Sequence, residues 1–260
     1  MCRDLGLSIC AFQPFRDFEG MPEPQRTRNF ARAERKFDLM QELQTDLMLI
    51  CSNISPASLG GIDRAAADFR ELGERAATRG LRVGYEALAW GLHVNDYRDA
   101  WEIVRRADHK SIGIILDSFH ALAPAFPTMP IQSIPADKIF LVQLADAPKL
   151  GLDVLSWSRH FRCMPGQGDL PVKAFMTYFL QKGAFRNFGF SPTGTLGLMG
   201  GAVGLLIAKA SLYLVRTINP GNIPRLEVIG IDGAVLAFTQ HPELLLPATE
   251  DRLHQNYRRP

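Results

Sequence analysis

Cysteine is scarce and scattered. The four residues, Cys2, Cys10, Cys51 and Cys163, form no CxxC pair, which excludes a disulfide-stapled secreted scaffold and a thiolate zinc site and fits a reducing compartment. A one-sided charge is also missing. The formal net charge is +2, with Lys and Arg interleaved among Asp and Glu, so there is no basic stripe of the kind that grips nucleic acid. A small-molecule substrate is therefore the expected partner. The opening MCRDLGLSIC lacks a charged n-region followed by a long apolar run, so no secretory signal is read there and a cytoplasmic location is expected. What the chain does have is apolar material, 47% of 260 residues, enough to bury one core of barrel size.

Up to about residue 185 short apolar runs alternate with charged stretches of helical period, the pattern of repeated βα units around a parallel sheet. The runs are LSICAFQPF (7–15), DLMLICSN (46–53), RVGYEAL (82–88), SIGIILDSFH (111–120) and KIFLVQLADA (138–147). Between them lie RTRNFARAERKFDLMQEL, DRAAADFRELGERAATRG and NDYRDAWEIVRRAD. In the second, Ala65, Phe69, Leu72 and Ala76 recur at spacings of three and four, and Gly80 closes the stretch in the manner of a C-cap. Each run is almost continuously apolar and turns polar at its C-terminal end, as expected of strands buried on both faces. The expected fold is α/β, a (β/α) TIM-type barrel. Only five strands are readable before residue 185, where a closed barrel has eight, so an incomplete barrel is expected, with two early βα units absent. The open edge that this leaves calls for cover by the tail or by a second copy in a homo-oligomer.

From residue 186 to 260 the rhythm is lost. SPTGTLGLMGGAVGLLIAKASLYLV is rich in glycine and apolar residues, and the remainder is punctuated by proline. The domain expectation is thus a partial barrel over 1–185 and an atypical tail over 186–260. Leu196 to Val215 has the length of a membrane-spanning helix and carries the small-residue pairs Gly197/Gly201 and Gly200/Gly204. Lys209 inside the run and the lack of an aromatic belt beyond Tyr213 argue for a buried or poorly folding segment instead.

Polar residues at the strand ends carry the chemical information, since barrel active sites lie there. Glu86, Asp117 and Gln143 end three successive strands at separations of 31 and 26 residues, about one βα unit each. They would converge on the mouth as hard oxygen donors for one divalent metal. Magnesium or manganese suits such a set, and cobalt and zinc are compatible with it. Each residue also has a plainer reading. Glu86 could be a strand-end carboxylate, although its apolar neighbours make an unpaired charge costly. Asp117, followed by Ser, could cap the next helix, and Gln143 could be a buried amide with internal partners. His120, three residues after Asp117, is placed to move a proton near neutral pH, or else is a core histidine. Arg16 in FQPFRDFEG, and Arg159, His160 and Arg162 in SRHFRCMPGQGDLP, are candidate clamps for an anionic substrate.

FQPFRDFEG, ERKFDLMQEL, TDLMLICSN, RVGYEALAWG, ILDSFH, KIFLVQLADAP and WSRHFRCMPGQGDLP, in this order, closely resemble bacterial 3-dehydroshikimate dehydratases of the sugar phosphate isomerase/epimerase-like barrel superfamily, over roughly residues 7 to 185. The resemblance implies a lyase that removes water from 3-dehydroshikimate to give protocatechuate, a step of quinate and shikimate breakdown. It implies that Glu86, Asp117 and Gln143 are three of four ligands of a catalytic divalent metal (Mg, Mn or Co). It also implies that Arg16, His120 and Arg162 lie in segments that line the substrate pocket; Glu86 and His120 are the expected proton-transfer groups, and Arg159 and Gln143 are further expected substrate contacts. The fourth ligand would be a Glu on the last barrel strand. Here AFRNFGFSPTGT has no carboxylate, and Glu227 in RLEVIG has a similar local look but comes some 35 residues too late to take its place well. The competing expectations are a sugar or hydroxy-keto isomerase of the same superfamily, and a non-catalytic remnant whose apolar tail serves as an association surface or membrane anchor.

Overall fold

The computed structural model describes residues 8–182 and 188–190, all within one compact unit, Met1–Gly194. The elements alternate β1 (Phe12–Phe15), α1 (Gln25–Leu43), β2 (Leu47–Cys51), α2 (Ile62–Ala77), β3 (Arg82–Glu86), α3 (Tyr97–Ala107), β4 (Ile112–Asp117), α4 (Ser118–Leu122), β5 (Ile139–Leu144), α5 (Val154–His160), α6 (Val172–Lys182) and β6 (Phe188–Phe190). The six strands form one sheet in sequence order, every neighbouring pair parallel. This is the wall of a (β/α) barrel, as the alternation of runs predicts. A strand not read from the sequence, β6, continues the sheet past residue 185. The segment Leu196 to Val215 and Glu227 lie outside the described residues. Among the described residues no helix is long and apolar enough to cross a membrane.

Strand residues divide by parity, because successive side chains point to opposite faces. On β2, Met48 and Ile50 join the large cluster beneath the helices, with Val83 and Tyr85 of β3, Ile112, Ile114 and Leu116 of β4, and Phe37, Phe69 and Ile103 from α1, α2 and α3. Leu47, Leu49 and Cys51 belong instead to an inner cluster with Ile115. Both faces are apolar, which is why β2 to β5 are almost unbroken hydrophobic runs. Gly84 serves the inner packing: a Cβ there would lie 2.5 Å from Ile115 Cδ1, so only glycine admits the isoleucine.

Local chemistry sets the ends of the elements. Asp96 caps α3 by accepting the Arg98 N–H at 2.8 Å. α2 ends at Ala77, and Gly80, with φ +69°, turns the chain three residues later, near the C-cap position expected of it. β1 covers only the end of the run LSICAFQPF, and Pro14 within it, which has no N–H to give a sheet, is tolerated because β1 is a terminal strand of the described sheet.

Candidate functional site

Parity carries the strand-end donors to the inner face. Cys51 is in register with Glu86 and Glu86 with Ile115. Asp117, two residues beyond Ile115, faces the same way and is in register with Gln143. Gln143 is in register with Gly189 on β6, which by its nature brings no donor. Directly after β4, α4 folds His120 back over the strand ends, held by Ser118 Oγ, which donates to the Ala145 carbonyl (2.6 Å) and accepts the Ala145 N–H (2.8 Å). Glu86, Asp117 and His120, all buried, each bring a ligand atom to within 4.8 Å of the others.

Asp117 uses both oxygens. Oδ1 accepts the N–H groups of Phe119 (2.7 Å) and His120 (3.3 Å), capping α4, while Oδ2 accepts Arg162 Nη1 at 2.7 Å. The cap reading and the inward-facing reading of this residue therefore hold together. Burial pushes the Asp117 carboxyl up, but the charges of Arg162 and His120 and the hydrogen bonds to it outweigh burial, and it stays below the usual range. Glu86 goes the other way. Burial first, and then the charge of Asp117, raise it, against a weaker pull from Arg162 and Arg16. The Cys51 thiol donates to Glu86 Oε2 at 3.4 Å and is itself pushed up by burial and by that carboxyl.

Burial, opposed by the charge of Asp117 and helped by that of Arg162, lowers His120 to about 4, so the ring is neutral near pH 7. Its Nδ1 accepts the Ala89 N–H at 3.1 Å, and its Nε2 lies 3.1 Å from Arg162 Nη2. Trp90 and Phe119 pack on the ring edge to face, at centroid distances of 4.9 and 5.9 Å. The loop bearing Ala89 and Trp90 is pinned by Ser52, whose Oγ accepts the Leu88 N–H at 2.9 Å.

Arg162 reaches the cluster from a distant loop, and Asp146 anchors that loop. Asp146 and Cys163 exchange backbone hydrogen bonds of 2.9 and 2.8 Å. The Asp146 side chain accepts the N–H of Gly166 (2.9 Å) on Oδ2 and those of Leu170 (3.0 Å) and Ala147 (2.8 Å) on Oδ1. Gly168 has to be glycine, since a Cβ would lie 2.5 Å from the Ala147 backbone and from Asp146 Oδ1. PGQGD is thus the turn that its composition suggests, and Asp146 holds it against β5. Arg162 then places Nε 3.0 Å from Ser158 Oγ and its guanidinium 4.6 Å above the Phe119 ring.

Glu86, Asp117, Gln143, His120 and Arg162 accordingly come together, although Gln143 Nε2 is directed to Gln13 Oε1 at 3.1 Å. Arg16 is exposed just past β1, near enough for its charge to act on Glu86. Arg159 is exposed at the end of α5 and makes no ion pair or hydrogen bond to the cluster among the described residues. His160, also exposed, has its ring centroid 6.5 Å from that of Phe161. The anchoring role of Asp146 and the histidine contacts of Ala89 and Trp90 were missed by sequence reasoning. For Asp146, the pairing of a strand-end Asp with a downstream Gly-x-Gly turn was the available signal. Two buried carboxylates beside an imidazole, with one carboxyl held up by the other's charge, form a donor set that a divalent cation fits.

Three comparisons bear on this site. Over 183 residues, 70% of this chain, the sequence is 57% identical to a Pseudomonas putida protein named 3-dehydroshikimate dehydratase and 56% identical to one of the same name from Pseudomonas aeruginosa. The chain spans 29% of the length of either relative. A solved structure described as a xylose isomerase-like TIM barrel/4-hydroxyphenylpyruvate dioxygenase fusion protein is similar with a TM-score of 0.72 and 54% identity, covering 73% of this chain and 30% of that one. The family model described as Xylose isomerase-like TIM barrel matches residues 1–192. This chain, with its sequence-ordered parallel strands and its donors gathered at their C-terminal ends, belongs to the xylose isomerase-like TIM barrel family.

Proposed function

We propose that this chain is the metal-dependent dehydratase region of a protein that converts 3-dehydroshikimate to protocatechuate, in quinate and shikimate catabolism. The observation that carries the reading is the 57% identity to the Pseudomonas putida dehydratase over the stretch that builds the buried cluster of Glu86, Asp117 and His120. Glu86, Asp117 and Gln143 would hold a divalent metal, magnesium, manganese or cobalt, with His120 beside them. When bound, such an ion supplies Lewis-acid stabilisation of negative charge developing on the substrate carbonyl oxygen.

The chain's own residues supply the rest. Glu86 takes the proton adjacent to the carbonyl. His120 is kept neutral, and the Ala89 N–H occupies its Nδ1, so the ring proton resides on Nε2, the nitrogen turned to the cluster. That proton passes to the departing hydroxyl, and water leaves. The proton taken by Glu86 returns to His120 Nε2, so both groups are restored and the substrate has lost one H and one OH as water; the dienone so formed becomes the aromatic product when a further ring proton moves to its carbonyl oxygen. Arg162, held over Phe119, and Arg16, at the mouth, orient the anionic carboxylate. Purified protein assayed with magnesium, manganese and cobalt is expected to release protocatechuate, followed by its ultraviolet absorbance. Absence of product with all three metals would remove the activity, and a panel of hydroxy-ketones run in parallel would expose an isomerase instead.

A further inference from the structure

Asp117 has one oxygen to spare, and Arg162 already holds it. Oδ1 is taken by the Phe119 and His120 N–H groups that start α4, and giving these up would uncap the helix that positions His120. A cation must therefore approach Oδ2, the atom that accepts Arg162 Nη1 at 2.7 Å. This ion pair is buried on both sides, with side-chain exposures of 8% and 3%, so solvent does little to weaken the contest. The second arm of the same fork, Nη2, lies 3.1 Å from His120 Nε2. The Nε contact to Ser158 and the stacking over Phe119 hold the base of the guanidinium beside this pair.

We infer that Arg162 is a built-in competitor of the divalent cation for Asp117 Oδ2, and that an anion which draws the guanidinium aside tightens cation binding. The inference rests on the cation reading of the site given above. It gives Arg162 a positioning role in addition to substrate binding. Because coupling between two ligands is reciprocal, the cation would favour the anion by the same factor, so the site fills as a pair.

The test is titration of the intact protein with manganese alone, reading free Mn2+ by electron paramagnetic resonance, for wild type and for Arg162→Gln, Arg162→Lys and Arg16→Gln. Loss of a charge-assisted hydrogen bond to a competitor predicts Mn2+ binding tighter by about tenfold or more in Arg162→Gln. It also predicts a larger Mn2+-induced rise in Tm for that variant, and an affinity near that of wild type for Arg162→Lys, which keeps the charge. Arg16→Gln removes a positive charge that acts on Glu86 without bonding Asp117, so it reports the through-space effect alone. An Arg16→Gln gain equal to that of Arg162→Gln would overturn the competition, as would unchanged or weakened binding in Arg162→Gln. Added shikimate, as a carboxylate probe, should tighten Mn2+ binding in wild type and not in Arg162→Gln; no response in wild type, or equal responses in both, defeats the coupling. Manganese bound by Arg162→Gln and not by wild type would be the strongest support. No binding by either would sink both this inference and the cation reading, whereas normal wild-type binding without the Arg162 effect sinks this one only.

Discussion

Replacing Asp117 separates its two duties. Asparagine keeps an oxygen for the Phe119 and His120 N–H groups but removes the charge that Arg162 Nη1 meets at 2.7 Å. Breaking a buried ion pair from one side costs about 3 to 5 kcal/mol. The lower end applies here, because burial and Asp117 itself keep Glu86 raised; with the Asp117 charge gone, Glu86 ionises more readily and becomes a partial counter-charge for Arg162. Asp117→Asn is thus expected to cost about 3 kcal/mol, and Asp117→Ala, which also uncaps α4, about 1 kcal/mol more. With a urea slope of roughly 2 kcal/mol per molar, the asparagine variant's midpoint should fall by about 1.5 M. Urea melts at pH 7 by circular dichroism, without added metal and then with manganese, provide the assay, and neither variant should regain the stability that manganese gives wild type. An asparagine variant within about 0.5 kcal/mol of wild type, the range of an unremarkable surface change, would refute the claim that a buried charge pair stands at this strand end.

Glu19 is buried and raised from 4.5 to about 7, chiefly by burial, which outweighs the Asn53 N–H and the Tyr85 hydroxyl that favour its charge. A raised carboxyl stabilises the fold fully below its unfolded pKa and loses that contribution as pH rises through the folded value. Glu19→Gln should therefore remove a loss of about 3 kcal/mol between pH 4.5 and 7, read as the difference between the two proteins' denaturation midpoints across that window; parallel pH profiles would refute it. His120 works in the opposite sense. Lowered to about 4, it costs stability as pH falls from its ordinary 6.5 toward 4, and His120→Gln should flatten that acid limb. Gly168→Ala forces a Cβ to within 2.5 Å of backbone and should cost about 1 to 3 kcal/mol, measurable by thermal melts. Asp146→Ala frees the three N–H groups that the side chain holds and should raise the KM for the proposed substrate more than it lowers kcat, since it loosens the loop that carries Arg162; an unchanged KM would contradict that anchoring role.

The barrel wall was legible wherever one local rule dominated. β2, β3, β4 and β5 are apolar on both faces and read as unbroken runs, and α2 declared itself through Ala65, Phe69, Leu72 and Ala76, all buried as the spacing implies. β6 escaped notice because Phe188–Phe190 is three residues long, too short for any period to show. Glu86, Asp117 and Gln143 stood out because a polar group at the end of an apolar strand is a local anomaly. Which atoms those groups engage was not legible, because the partners are far apart in the chain: Arg162 meets Asp117 across 45 residues and Tyr85 meets Glu19 across 66.

The sequence by itself determined the parallel βα order and the strand ends at which oxygen donors gather, since strand parity and apolar periodicity act within a few neighbouring residues. Only the tertiary structure decided that Asp117 both caps a helix and holds an arginine, that His120 is kept neutral, and that Asp146 rather than Arg159 shapes the loop over the mouth. Those outcomes depend on burial and on charges brought within a few ångströms by folding, and a linear chain contains neither.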